Sequence, residues 1–247
     1  MSLLRLEKLN KAFGSLVVTK NVDLVIAEGE RHVVIGPNGA GKTSLVHQIT
    51  GQLKPSSGRI FLGERDITGA APERICQWGV GRTFQKNNLF RTLPVRENVR
   101  LAVQAKQGGW YEALRGAKTR SAQIARAEQI LEQTGLASRA GDSVSALSYG
   151  EQRQLEVAVA LAAEPKLLLL DEPTSGMSPA ETERMIKLVQ ALPKSLAVLM
   201  IEHDMKVVFK LAQKITVLYY GEVLAEGTPV EVQANARVRE VYLGGKH

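Results

Sequence analysis

From His32 to Gly51 the chain reads HVVIGPNGAGKTSLVHQITG, and no other stretch constrains its fold as tightly. HVVI is a short apolar run suited to a buried strand. GPNGAGKT is a glycine-rich loop, and SLVHQITG has helical spacing with Gly51 to stop it. Strand, loop and helix in that order form the context in which G-x-x-x-x-G-K-[ST] cradles phosphate. Average residue usage gives the pattern by chance in about 1% of chains this long. Gly36, Gly39 and Gly41, with Pro37, Asn38 and Ala40 between them, let the backbone turn tightly and offer N–H donors. The helix that follows adds its positive end. Lys42 is expected to reach the terminal phosphates, Thr43 to coordinate Mg²⁺ and Ser44 to add a phosphate hydrogen bond. A dinucleotide fingerprint is excluded, because Gly36 is followed by Pro, Asn and Gly.

A second segment, LLLLDEPTSG, ends an apolar strand on two carboxylates. In an open parallel sheet, ligands gather at the C-terminal ends of strands. Asp171 is therefore placed to hold Mg²⁺ through its water shell, and Glu172 to orient or deprotonate an attacking water. Acids at a strand end can also simply begin a turn before Pro173. His203 follows the apolar run SLAVLMIE and should arrive at the same sheet edge, either to bond a γ-phosphate or to face solvent at a helix start. Gln85, at the end of GVGRTFQ, either reaches Mg²⁺ and the attacking water or is an ordinary polar strand end. His32, His47 and His247 have no such setting and read as structural or surface residues.

The rest of the chain is consistent with a globular α/β protein. Hydrophobic residues are 44% and charged residues 23% of 247, a globular composition. No apolar run reaches the length of a membrane span, and the charged start, MSLLRLEKLNKAFG, does not resemble a secretory signal. The single cysteine, Cys76, excludes an internal disulfide and a multi-cysteine metal site, which points to the cytoplasm. The net charge of +7 suits a solvated surface that attracts anionic nucleotide, or one that meets an anionic membrane. Basic residues recur from Arg96 to Arg126, but Trp110 and Tyr111 form no stacking ladder, so no nucleic acid partner is expected. The first 35 residues read as strands, GRIFLG and GVGRTFQ as further short strands, and Lys166 to Gly227 alternates strands with helices, a pattern for a mostly parallel, buried sheet. Between them, Pro94 to Ala162 is rich in helix formers with apolar residues three or four apart. The tail from Pro229 to Leu243 also reads as helical.

Taken together, these motifs resemble an ATP-binding cassette nucleotide-binding subunit over nearly the whole chain. GPNGAGKT matches the Walker A loop, Gln85 the Q-loop, LSYGEQ (147–152) the signature, LLLLDE the Walker B strand, SGMS the D-loop and His203 the switch histidine. Phe13 stands where the family stacks an aromatic on adenine. The resemblance implies an α/β fold: a P-loop NTPase core with a mostly parallel sheet, an antiparallel β subdomain and an inserted α-helical subdomain. It implies one domain over 1–247, with the core at 1–86 and 163–247 and the helical signature subdomain at about 87–162. It implies ATP and Mg²⁺ as ligands, and hydrolysis that needs two cassettes facing head to tail. Ser148, Gly150 and Glu151 would then serve a nucleotide held by the partner cassette, although Ser148 and Glu151 also fit ordinary helix capping. Three positions depart from the usual pattern: Tyr149 replaces a glycine, Phe13 a tyrosine and Ser178 an aspartate.

GRTFQKNNLFRTLPVRENV, SGMSP and the ending GEVLAEGTPVEVQANARVREVYLG are similar to ATPases of branched-chain amino acid importers. That branch implies a peripheral subunit on the cytoplasmic face of the inner membrane. Its partners would be a second cassette, transmembrane permease subunits and, indirectly, a periplasmic or lipid-anchored solute-binding protein. The segment from Lys86 to Val99, with Leu89, Phe90, Leu93 and Val95, is expected to help form the permease groove, the alternative for these side chains being a buried corner of the helical insert. The VYLG ending also occurs in lipopolysaccharide-export cassettes, and a soluble iron–sulfur assembly ATPase is the rival outside transport.

Overall fold

A computed structural model describes residues 2–83, 89–107 and 117–243. Gln85 and the stretch around Trp110 lie outside the described residues. In chain order the elements are β1 (Ser2–Phe13), β2 (Leu16–Ala27), β3 (Arg31–Ile35), α1 (Lys42–Ile49), β4 (Ser57–Leu62), β5 (Arg65–Asp66), α2 (Pro72–Gln77) and β6 (Val80–Arg82). Then come α3 (Val95–Gln107), α4 (Ala117–Gln133), α5 (Tyr149–Leu161), β7 (Leu167–Asp171), α6 (Pro179–Ala191) and β8 (Ala197–Ile201). The chain continues through α7 (Met205–Leu211), β9 (Lys214–Tyr219), β10 (Glu222–Gly227) and α8 (Pro229–Ala234).

The central sheet has the order β10-β9-β3-β8-β7-β6, and β3, β6, β7, β8 and β9 run parallel. Its strands are apolar on both faces because both faces are covered. The period of two divides them cleanly. Val34, Leu167, Leu169 and Leu199 pack with α1 and a second, antiparallel sheet of order β2-β1-β4-β5. Val33, Ile35, Leu168, Leu170, Val198 and Met200 pack against α6 and α7 on the other side. The turn between β9 and β10 makes those two strands an antiparallel hairpin at the edge.

Helices α3, α4 and α5 build a third core of their own. Val95, Val99 and Val103 recur every four residues along one stripe of α3. They meet Ala127, Ile130 and Leu131 of α4, and Leu155 and Ala158 of α5. Leu155 is fully buried there. Leu155→Ala is expected to cost about 3 kcal/mol by lost transfer energy and a residual cavity, read as a lower urea midpoint. Two side chains expected in the permease groove belong to this core instead: Val95 is 0% and Leu89 9% exposed, whereas Phe90 is 59% exposed. Val95 is buried because it is the first rung of the α3 stripe, and Leu89 joins the same core from the segment before the helix.

Parallel strands end together, so β3, β6, β7 and β8 deliver their following residues to one edge. That edge receives Gly36, Thr83, Glu172 and Glu202. The tail adds short helical turns through Ala236–Val238 and Arg239–Leu243, which return to the same edge at Val241.

Candidate functional site

The phosphate loop is pressed between two hairpins. A Cβ on Gly36 would meet the Leu218 carbonyl oxygen at 2.4 Å, and one on Gly41 the Val18 carbonyl oxygen at 2.2 Å. Gly41 also has φ 99°, in the left-handed region, so both contact and conformation require glycine there. The Gly221 N–H donates to the Ala40 carbonyl at 3.0 Å and ties the β9–β10 turn to the loop. No side chain caps α1, whose first turn follows the loop directly. Its leading N–H groups and positive end therefore face the loop's concavity, a ready anion site.

Lys42 is 9% exposed, and its Nζ donates to the carbonyls of Gly36 at 2.7 Å and Pro37 at 3.0 Å. Burial pulls its ammonium below the ordinary lysine range, and the charges of Glu172 and Asp171 oppose that shift. Asn38 and Gly39 are exposed, and Thr43 and Ser44 partly so. Phe13 stands 51% exposed at the tip of the β1–β2 hairpin, with the Lys11 ammonium 4.8 Å from its ring centroid. The same hairpin brings Val18 against Gly41, so Phe13 is carried by an element that touches the loop.

Asp171 ends β7 and is almost completely enclosed. Its Oδ2 accepts from Arg82 Nη2 at 3.2 Å, with side chains 7% and 1% exposed for Arg82 and Asp171. Arg82 also bonds Thr50 and Gln52, at the end of α1. Burial raises the Asp171 carboxyl above its usual range, and Arg82 opposes the rise. Asp171 Oδ1 is buried with no hydrogen-bond partner among the described residues. A buried oxygen left so calls for a polar partner. With the Thr43 hydroxyl it offers the oxygen donors that a small hard cation such as Mg²⁺ takes, so the residues fit the ion.

Glu172 leaves the strand in a left-handed turn, with φ 47°, and its N–H is held by the Ile201 carbonyl at 3.0 Å. Non-glycine residues held there store strain of about 1–3 kcal/mol, a feature that gathers at functional sites. The turn carries the carboxylate toward His203, whose Nδ1 lies 3.8 Å from Glu172 Oε1. Gly36, Pro37, Asn38, Glu172, His203 and Val241 line one open depression. The phosphate loop, the acid and the histidine are thus brought together, as expected.

Three residues carry no obvious motif, two of them in these surroundings and one at the signature helix. Glu202 is fully buried. Its Oε1 accepts from Thr174 N–H at 3.2 Å and Thr174 Oγ1 at 2.5 Å, and its Oε2 accepts from His203 N–H at 3.0 Å. It pins the turn after β7 to the turn after β8, and so sets Glu172 and His203 relative to each other. An acid directly before the histidine was its only trace in the sequence. Arg82 is the second, and Glu181 of α6 the third.

The signature residues stand elsewhere. Ser148 lines a different depression, with Gly135, Glu151, Arg184 and Lys187. Ser148 is the N-cap of α5, and Glu151 completes a capping box: Ser148 N–H donates to Glu151 Oε2 at 2.7 Å, and Glu151 N–H to Ser148 Oγ at 3.2 Å. Tyr149 is 41% exposed, accepts from Arg153 Nη2 at 2.9 Å and lies beside Gly176. Ser178 caps α6. Gln85 lies outside the described residues.

Comparison with known proteins accounts for this arrangement. A family model described as ABC transporter matches residues 19–175. The chain belongs to the ATP-binding cassette family. A second model, described as branched-chain amino acid ATP-binding cassette transporter, matches residues 222–247 of this cassette. The high-affinity branched-chain amino acid transport ATP-binding protein LivG of Salmonella typhimurium is 41% identical over 98% of both chains. The lipopolysaccharide export system ATP-binding protein LptB of Acidithiobacillus ferridurans is 34% identical over 98% of this chain and 97% of its own. Among solved structures, an ABC transporter cassette in its ADP conformation superposes with a TM-score of 0.86 at 28% identity, covering 99% of each chain. A dimeric cassette bound to ADP and Pi in a post-hydrolysis state gives 0.77 at 27%, covering 92% of this chain and 98% of its own. The cassette is accordingly an ATP-binding subunit of the ATPase type, and its α/β architecture is that of the family.

Proposed function

We propose that this cassette powers an importer of branched-chain amino acids or related small polar solutes, from the cytoplasmic face of the inner membrane, through partner permease subunits. The observation that carries the reading is the match of residues 222–247 to the branched-chain amino acid cassette model, alongside full-length similarity to LivG. No helix among the described residues is long and apolar enough to cross a membrane, so a separate permease would form the passage. A periplasmic or lipid-anchored solute-binding protein would deliver cargo to that permease.

In this reading residues 1–247 are one cassette domain, with a core at 1–86 and 163–247 and a helical subdomain at about 87–162. Phe13 stacks on adenine. Gly36 to Ser44 wrap the phosphates, and Lys42 leaves its loop carbonyls to neutralise them. Thr43, Gln85 and, through its water shell, Asp171 would hold Mg²⁺, which would supply charge neutralisation for the phosphates. Glu172 orients and deprotonates water, and His203 bonds the terminal phosphate. Ser148 and Gly150, at the start of α5 with Glu151 fixing its cap, address the nucleotide of a second cassette.

Isolation of the tagged cassette from membranes, with identification of bound proteins, tests the assignment. A polytopic permease together with a solute-binding protein that binds branched-chain amino acids is expected. Recovery with lipopolysaccharide-export components, the reading that the LptB similarity favours, or only from soluble fractions overturns it. Phe90, exposed beside the helical core, is the most exposed of the four apolar side chains expected in the groove. Phe90→Asp is expected to abolish co-purification with the permease while basal ATPase activity persists; unchanged co-purification removes Phe90 from the contact.

A further inference from the structure

The start of the signature helix is occupied by a side chain of this same cassette. Glu181, in the first turn of α6, extends its carboxylate across to α5. Its Oε1 accepts from Ser148 Oγ at 3.2 Å and from Gly150 N–H at 3.1 Å. Its Oε2 accepts from Ser178 N–H at 3.0 Å and Ser178 Oγ at 2.8 Å. One carboxylate therefore bridges the positive ends of two helices. It lies so close to the α5 backbone that a Cβ on Gly150 would meet Glu181 Oε1 at 2.6 Å. The bonds from Ser178, then those from Gly150 and Ser148, hold its carboxyl at about 2, so it is an anion at any cellular pH.

Hydroxyl bookkeeping makes this contact consequential. A serine hydroxyl has one proton to donate. Ser148 Oγ already accepts from the Glu151 N–H, and its proton is directed at Glu181. The Gly150 N–H has likewise one hydrogen, also directed at Glu181. These are the two donors that the proposed function assigns to a γ-phosphate presented by the partner cassette. Neither donor can be given fully to two anions, and a carboxylate beside a phosphate adds repulsion.

We propose that Glu181 is a positioning residue of the signature half-site, an internal anion that holds the Ser148 and Gly150 donors in place and yields them to the partner's γ-phosphate. The proposal rests on the reading that Ser148 and Gly150 serve a nucleotide in trans. Closure of the cassette dimer then includes a swap, in which the Glu181 carboxylate withdraws to α6 and Ser178 as phosphate arrives. The resident anion keeps the two donors satisfied in the separated cassette and raises the ATP concentration needed to close the pair.

Glu181→Gln tests this directly. Glutamine keeps the α6 capping box, which accepts Glu or Gln at that position, and removes the charge. In a Glu172→Gln background, light scattering against ATP concentration reads dimer formation. The variant is expected to reach half-maximal dimer at about two- to fivefold lower ATP, the size of a charge effect at a helix terminus. ADP affinity of the isolated cassette, read with a fluorescent analogue, should be unchanged, because the phosphate loop is untouched. Glu181→Asp, which draws the charge back from Gly150, should shift dimerisation the same way and serves if the glutamine variant folds poorly. An unchanged or higher ATP requirement in a folded Glu181 variant overturns the proposal. Ser148→Arg separates the two layers. If it blocks the dimer while Glu181 variants do nothing, only the role of Glu181 fails. If the dimer forms normally with Ser148→Arg, the trans reading falls and takes this proposal with it.

Discussion

Glu172→Gln is expected to lower ATP hydrolysis by about 10²–10⁴-fold, the range that a positioned general base contributes, while ATP still binds. Glutamine matches glutamate in shape, so it can occupy the same left-handed turn at φ 47° and keep its N–H on the Ile201 carbonyl. What it loses is the negative charge that accepts a proton from water. The phosphate loop, Lys42 and Asp171 are unchanged, so the nucleotide should remain and the closed pair of cassettes should accumulate. Phosphate release and size-exclusion chromatography with ATP read the two halves of the claim. A variant that hydrolyses at the wild-type rate removes Glu172 from the role of base.

Lys42→Ala should produce the opposite split, with binding itself lost. Lys42 donates to two carbonyls of its own loop, and in the proposed function it exchanges them for phosphate oxygens. Each hydrogen bond from a charged donor contributes about 1.5–3 kcal/mol, so two to phosphate oxygens correspond to about a 10²–10⁴-fold fall in ATP affinity. Calorimetric titration with ATP measures this. Hydrolysis should vanish with binding, and no ATP-dependent dimer should form. Retained affinity in the alanine variant would move the phosphate contact to other residues. Compared together, the two substitutions separate holding the nucleotide from cleaving it.

The parts of the site that were legible in the sequence are those whose chemistry is contiguous. Gly36 to Thr43 form one loop, and Asp171 and Glu172 adjoin on one strand end, so spacing alone carries the argument. The parallel core and the helical insert were legible from period and composition, because apolar runs and four-residue stripes are local. Arg82, Glu202 and Glu181 were not. Arg82 and Asp171 lie 89 residues apart, Glu202 and Thr174 28 apart, and Glu181 and Gly150 31 apart. Nothing local distinguishes a charge that will be buried against a distant partner from one on a solvated face. Leu89 and Val95 show the converse: an apolar residue near a surface motif reads the same whether it meets a partner protein or its own core.

The strand order has a consequence for how the chain becomes functional. β3 delivers the phosphate loop, yet its two sheet neighbours are β8 and β9, which lie far downstream of it in the chain. Until those strands leave the ribosome, β3 has two unpaired edges and the loop lacks the Leu218 and Gly221 backbone that braces it. Helices α3 to α5, which have a core of their own, are complete much earlier. Such long-range pairing is slow and leaves strand edges exposed meanwhile. A chain stopped before β9 carries the whole Walker A sequence and still lacks the backbone that braces the loop from this side.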